Sequence, residues 1–202
     1  MNTPRMANIL GFEFLAGQGL VLVEGETAGS HVVYALSIAS DALKKGKQAT
    51  WVTYGGRGDI LKMVEGFGMN GMEKMTIADE VSDWKRVALP EGGLAVFDSL
   101  PFLYGEESLN GMRKTISEMA RAARPGRTIL LISETGILPP AHERLARAMA
   151  DGVIQLLAER EGEKIRRFIH VLKMRGSQPI DRVIPFTLSA QGILIDPRER
   201  YG

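Results

Sequence analysis

Residues 19–33 read Gly19-Leu-Val-Leu-Val-Glu-Gly25-Glu-Thr-Ala-Gly-Ser30-His31-Val32-Val33. A short apolar run bounded by glycines predicts a buried strand. The apolar positions then shift to helical spacing over 29–45. Val32, Val33, Leu36, Ala39 and Leu43 form one row, and Ala35, Ile38 and Ala42 form a second beside it. A helix with two apolar rows is buried on more than one side, and Gly46 stops it. Strand, glycine loop and buried helix, in that order, open an α/β fold.

Working outward, the alternation continues. Residues 48–54 predict a second strand, Gly55-Gly56-Arg57-Gly58 a loop, and Asp59 the cap of a helix running to Gly66. Residues 73–77 predict a weak third strand, and Leu94-Ala-Val-Phe-Asp98 a stronger one that ends in an acid. A helix follows over 106–123, broken at Pro125-Gly126. Thr128-Ile-Leu-Leu-Ile132 is a continuous apolar strand, and 140–150 a short helix. The pattern then changes to successive strands at 152–158, 165–174, 183–188 and 192–195. The expected fold is α/β, with a mainly parallel sheet covered by helices on both faces and antiparallel strands at its C-terminal edge. One domain is expected over 1–202, with 1–10 as a disordered lead-in. In such sheets ligands bind at the carboxyl ends of the strands, which singles out loop 25–32 and Asp98.

The chain has 202 residues, 45% apolar and 24% charged, with 23 Gly, 9 Pro and no Cys. That length supports a full core without disulfides or metal. Without Cys there is no zinc finger, iron–sulfur cluster or thiol nucleophile, which fits a reducing compartment such as the cytoplasm. His31, His142 and His170 are too far apart in sequence to form a helical metal pair. No apolar run reaches the ~18–20 residues of a membrane span. Residues 6–23 look superficially like a signal segment, but Glu13 and Gln18 interrupt them. Charge is uneven. Residues 1–110 hold 9 Lys and Arg against 14 Asp and Glu, and residues 111–202 hold 16 against 10. The basic half would suit an anionic partner or an acidic neighbouring subunit.

Strand, glycine loop and helix are also the setting of a phosphate-binding P-loop, which needs Gly, four residues, Gly, Lys, then Ser or Thr. From Gly25, Ser30 stands where Gly is wanted, His31 where Lys is wanted and Val32 where the hydroxyl is wanted. Slipping the frame to Glu24 restores neither the cation nor the magnesium ligand. By itself the loop is a weak signal.

Read along its whole length, from about Gly11 to Pro197, the chain resembles the KaiC-like branch of the RecA ATPase superfamily, which includes recombinase paralogues and the archaeal motor ATPase FlaH. GLVLVEG resembles the first strand, VVYAL the following helix, and KKGKQATWVTY the second strand with its approach. LAVFDSL resembles the Walker B strand. ADGVIQL, RRFIHVLKMRGS and IPFTLSAQGILIDP resemble the C-terminal strands in order. The resemblance implies a degenerate nucleotide loop made of Gly25, Glu26, Thr27, Ala28, Gly29, Ser30, His31 and Val32. It implies Asp98 as the Walker B acid, and Lys173 and Arg175 as residues that reach the γ-phosphate of a neighbouring subunit. The acidic pair that activates water in the family falls on Gly55 and Gly56. Bland roles compete: Asp98 as a turn cap, Lys173 and Arg175 as solvent-facing charges.

These losses touch independent parts of phosphoryl transfer, which depends on positioning and charge neutralisation. A missing water-activating carboxylate alone costs on the order of 10²–10⁴ in rate. The expectation is a pseudo-ATPase that acts through protein contacts, in a homo-oligomer or with an active KaiC- or RecA-like ATPase to which Lys173 and Arg175 are supplied in trans. It requires no cofactor; magnesium would enter only with nucleotide, through Asp98. One alternative is a residual ATP or ADP binder or slow ATPase, with His31 and Glu24 or Glu26 in substitute roles. Another is an accessory to DNA recombination or repair, supported only by the basic C-terminal half.

Overall fold

The computed structural model describes residues 11–195, apart from 27, 28, 70, 80, 82, 105–107, 124, 125, 177–179, 181, 182 and 191. The expectation for 1–10 therefore lies outside the described residues. Nine strands form one sheet: β1 (Gly19–Gly25), β2 (Ala49–Thr53), β3 (Thr76–Asp79), β4 (Leu94–Asp98), β5 (Thr128–Glu134), β6 (Gly152–Glu161), β7 (Lys164–Met174), β8 (Ile184–Ser189) and β9 (Gly192–Ile195). Their order is β3-β2-β4-β5-β1-β6-β7-β8-β9. The pairs from β3 through β6 are parallel, and β6 to β9 add antiparallel strands at one edge. This is the architecture expected from the sequence.

β1 lies centrally, with Val23 beside Ile132 of β5 on one side and Ile154 of β6 on the other. All seven of its residues are buried, as a continuous apolar strand between two helical layers should be. On one face pack α1 (Phe12–Leu15), α2 (Ser30–Lys44) and α3 (Arg57–Gly66). On the other pack α4 (Leu100–Tyr104), α5 (Leu109–Ala123) and α6 (Pro140–Met149). The double apolar row of α2 is explained by its position: Tyr34, Ala35, Leu36, Ile38, Ala39 and Ala42 are all fully buried.

Three of the departures from the sequence expectation have a single-residue cause. The helix expected over 106–123 begins at Leu109, because Ser108 caps it: its Oγ accepts from the Gly111 N–H at 3.2 Å. A separate α4 precedes it. The strand expected at 73–77 begins at Thr76, because Gly71, at φ 86°, turns the chain into a 3-10 turn over Met72–Lys74. Asp59 does not cap α3; Gly56 occupies that position, and Asp59 sits in the first turn, paired with Lys62 at 3.6 Å.

The amino edge of the sheet is tied at Asp151, just ahead of β6. Its buried carboxylate accepts from the Leu20 N–H at 3.1 Å and from Arg175 at 2.5 Å. Gly19 has to be glycine here. Its φ is +87°, and a Cβ would lie 2.5 Å from Asp151 Oδ2. Gly19→Ala is expected to destabilise the protein by roughly 2–3 kcal/mol through strain and displacement of that carboxylate, read as a lower denaturation midpoint with an unchanged m-value.

Candidate functional site

The turn from β1 into α2 carries the loop that the sequence likens to a nucleotide loop. Thr27 and Ala28 lie outside the described residues, and Glu26 is exposed. Gly29 holds the left-handed conformation, at φ 73°, that lets the chain enter α2. Its carbonyl accepts from the N–H groups of Val32 and Val33. Ser30 is buried, and its Oγ has no hydrogen-bond partner among the described residues. Val32 is half-buried.

His31 is 1% exposed. A Cβ on Gly25 would lie 2.5 Å from its Nδ1 and 2.8 Å from its Cγ, so the imidazole packs directly against the Gly25 backbone. Nδ1 has no hydrogen-bond partner among the described residues. Burial drives the pKa of His31 down to about 4, so the ring is neutral at pH 7.

Asp98 ends β4, beside Thr53 at the end of β2. Burial pushes its pKa up to about 6. The indole N–H of Trp51 opposes that shift, and the negative charge of Glu134 adds to it. The Trp51 contact is too loose to count as a formed hydrogen bond. The Asp98–Ser99 peptide is cis. Gly55 and Gly56 follow β2; the Gly55 N–H donates to Thr53 Oγ1 at 3.2 Å, and neither position offers a carboxylate. The two loops singled out in the sequence thus meet at one carboxyl rim. Among the described residues no group of His, Asp and Glu is arranged to hold a metal ion.

Lys173 and Arg175 lie at the opposite, amino edge, because β7 runs antiparallel to β6. Both have partners within the chain. Lys173 Nζ donates to the carbonyls of Arg147, Ala148 and Ala150 at 3.4, 3.0 and 2.6 Å. It thereby caps the end of α6, where unsatisfied carbonyls favour a cation. Arg175 pairs with Asp151.

The sequence reading did not find the polar cluster between these two places. Glu24 is 2% exposed. Arg147 Nε approaches its two carboxylate oxygens at 2.8 and 2.9 Å, and Gln155 Nε2 donates to it at 3.0 Å. Arg147 also lies 3.8 Å from Glu143, whose other oxygen accepts from the Gly136 N–H at 2.6 Å. The available signal was a lone acid inside GLVLVEG: a charge buried in a central strand needs a partner.

The model of the KaiC ATPase family matches residues 86–200, more than half of the chain. The chain belongs to the KaiC family of ATPase domains. It is 30% identical over 132 residues to the circadian clock oscillator protein KaiC of Prochlorococcus marinus, a match over 64% of this chain and 25% of that protein. This KaiC-family chain thus spans about a quarter of the length of that curated relative. Two solved structures share its RecA-like fold. The flagellar accessory protein FlaH of Methanocaldococcus jannaschii has a TM-score of 0.73 and 16% identity, over 90% of this chain and 91% of that one. A KaiC-like protein of Pyrococcus horikoshii has a TM-score of 0.74 and 23% identity, over 92% and 95%. The resemblance drawn from the sequence is confirmed at the level of family and fold.

Two outcomes test the electrostatics of the site. His31, with a folded pKa of about 4 against 6.5 unfolded, contributes stability that is present above pH 6.5 and lost as pH falls through about 4. Asp98, with about 6 against 3.8, contributes stability that is present below 3.8 and lost as pH rises through about 6. Each effect is on the order of 3 kcal/mol and they oppose one another. On acidification from pH 7 to 4, His31→Asn should gain stability relative to wild type and Asp98→Asn should lose it, measured by urea unfolding at each pH. Arg147→Met strands a buried charge and should cost roughly 3 kcal/mol. Adding Glu24→Gln should recover much of it, which a double-mutant cycle measures.

Proposed function

We propose that this chain is a pseudo-ATPase: a KaiC-family domain that does not hydrolyse ATP and acts through contacts with other proteins. The observation that carries the reading is His31. Where the fold family places a flexible cation for phosphate, this chain has a neutral imidazole wedged against Gly25. The remaining residues do not fit a magnesium triphosphate either. Val32 supplies no hydroxyl, Gly55 and Gly56 supply no base, and the ends of β1, β4 and β5 carry the acids Glu24, Glu26, Asp98 and Glu134. Arg147, the cation that reaches β1 here, is held by Glu24.

Partners in this reading are copies of the chain or an active KaiC- or RecA-like ATPase. Lys173 and Arg175 are the groups it would offer to a neighbour's nucleotide, and both would have to leave the partners they have within the chain. A trans cation of this kind is worth roughly 10³–10⁵ in rate.

A second reading, residual nucleotide binding, draws on one observation. The Ser30 hydroxyl, without a partner among the described residues, stands at the start of α2, a 15-residue helix with no acidic residue in its first turn, and a helix N-terminus attracts anions.

Calorimetric titration with ATP and ADP, with and without magnesium, separates the two. The pseudo-ATPase reading expects no heat of binding up to millimolar nucleotide. Tight, magnesium-dependent binding that is lost in Asp98→Asn would overturn it. For the trans role, the chain should raise the ATPase rate of its active partner, and Arg175→Ala should not. Equal rates for the two would rule the role out.

A further inference from the structure

We infer that the end of α6 is a latch that couples Lys173 and Arg175, at the amino edge of the sheet, to the loop after β1 at the carboxyl rim. The chain of contacts is continuous. Arg175 holds the carboxylate of Asp151 through Nη1, and its N–H donates to the Asp151 carbonyl at 2.9 Å. Lys173 gathers the carbonyls of Arg147, Ala148 and Ala150. Arg147 therefore has its backbone held by Lys173 while its side chain holds Glu24. Glu24 directly precedes Gly25, the residue against which His31 is packed.

The energetics of the two ends differ in a way that makes this a switch. The Arg175 side chain is 58% exposed, and Lys173 is half-buried beside it. An anion presented by another molecule can therefore compete for them. Glu24 is almost fully enclosed, so a slackened Arg147 leaves a buried carboxylate without its fixed counter-charge. The cost is far larger than the loss of a surface contact. Withdrawing Lys173 uncaps the last turn of α6, loosens Arg147 and destabilises the β1–α2 turn. By linkage, a change at the turn alters the readiness of Lys173 to leave. The identity of the competing anion, a partner's polyphosphate, rests on the trans role proposed above; the coupling within the chain does not.

Residue-resolved hydrogen exchange on the whole chain tests it. Lys173→Met should speed exchange about tenfold in the last turn of α6, and also at the amides of 24–26 and 29–33. In an Arg147→Met background the same substitution should speed only the α6 amides. Glu24→Gln probes the coupling from the other end: Arg147 is still present but loses its ion pair, and exchange in the last turn of α6 should speed up. If Lys173→Met disturbs α6 alone and Glu24→Gln disturbs the turn alone, the latch is refuted. That result is separate from the fate of the trans role, which fails if Arg175→Ala leaves a partner's ATPase rate unaltered.

Discussion

A carboxylate inside the central strand of a nine-stranded sheet is the constraint on which much of this structure depends. Glu24 sits on β1 with helices on both sides and almost no access to water. Its charge is tolerable there because Arg147 meets it with both oxygens engaged and Gln155 supplies a further donor. Removing either partner would expose the remaining charge to a low-dielectric surrounding. The pair therefore fixes where α6 lies over the sheet. The position of α6 in turn sets the carbonyls that Lys173 caps, and the bend at Asp151 that starts β6.

The carboxyl rim follows the same logic of burial. Glu24, Asp98 and Glu134 lie along this rim with a neutral imidazole, that of His31. It is too enclosed to carry a proton at neutral pH, and it fills space that a Cβ at position 25 would also claim. Asp98 and His31 are both shifted by burial, in opposite directions on the pH scale, so that each is disposed to be uncharged under mildly acidic conditions.

Much of the fold was legible because the signals were local. GLVLVEG, LAVFD and TILLI are apolar runs of strand length, and the two apolar rows of α2 announce a helix enclosed by its neighbours. What failed was set by single capping residues. Ser108 decides where α5 begins, and Gly71 and Gly56 overrule the periodicity around them. In the site, the residue types at Ser30, His31, Val32, Gly55 and Gly56 could be read position by position. Their packing partners could not. Arg147 is 123 residues from Glu24, and nothing in the spacing of either foretells that they meet. Nor does the alternation of charges on β7 reveal that Lys173 bends to a helix end rather than to solvent.

Trp51 has a consequence of a different kind. Its indole is fully buried, and its polar neighbour is a carboxyl that takes up a proton near pH 6. The second tryptophan, Trp84, stands edge-on to Phe97 at 6.3 Å. The molecule thus carries an intrinsic optical reporter beside its rim. A charge appearing on Asp98 changes the field at the Trp51 indole, so the state of the rim should be readable in solution without a dye, a label or a bound ligand.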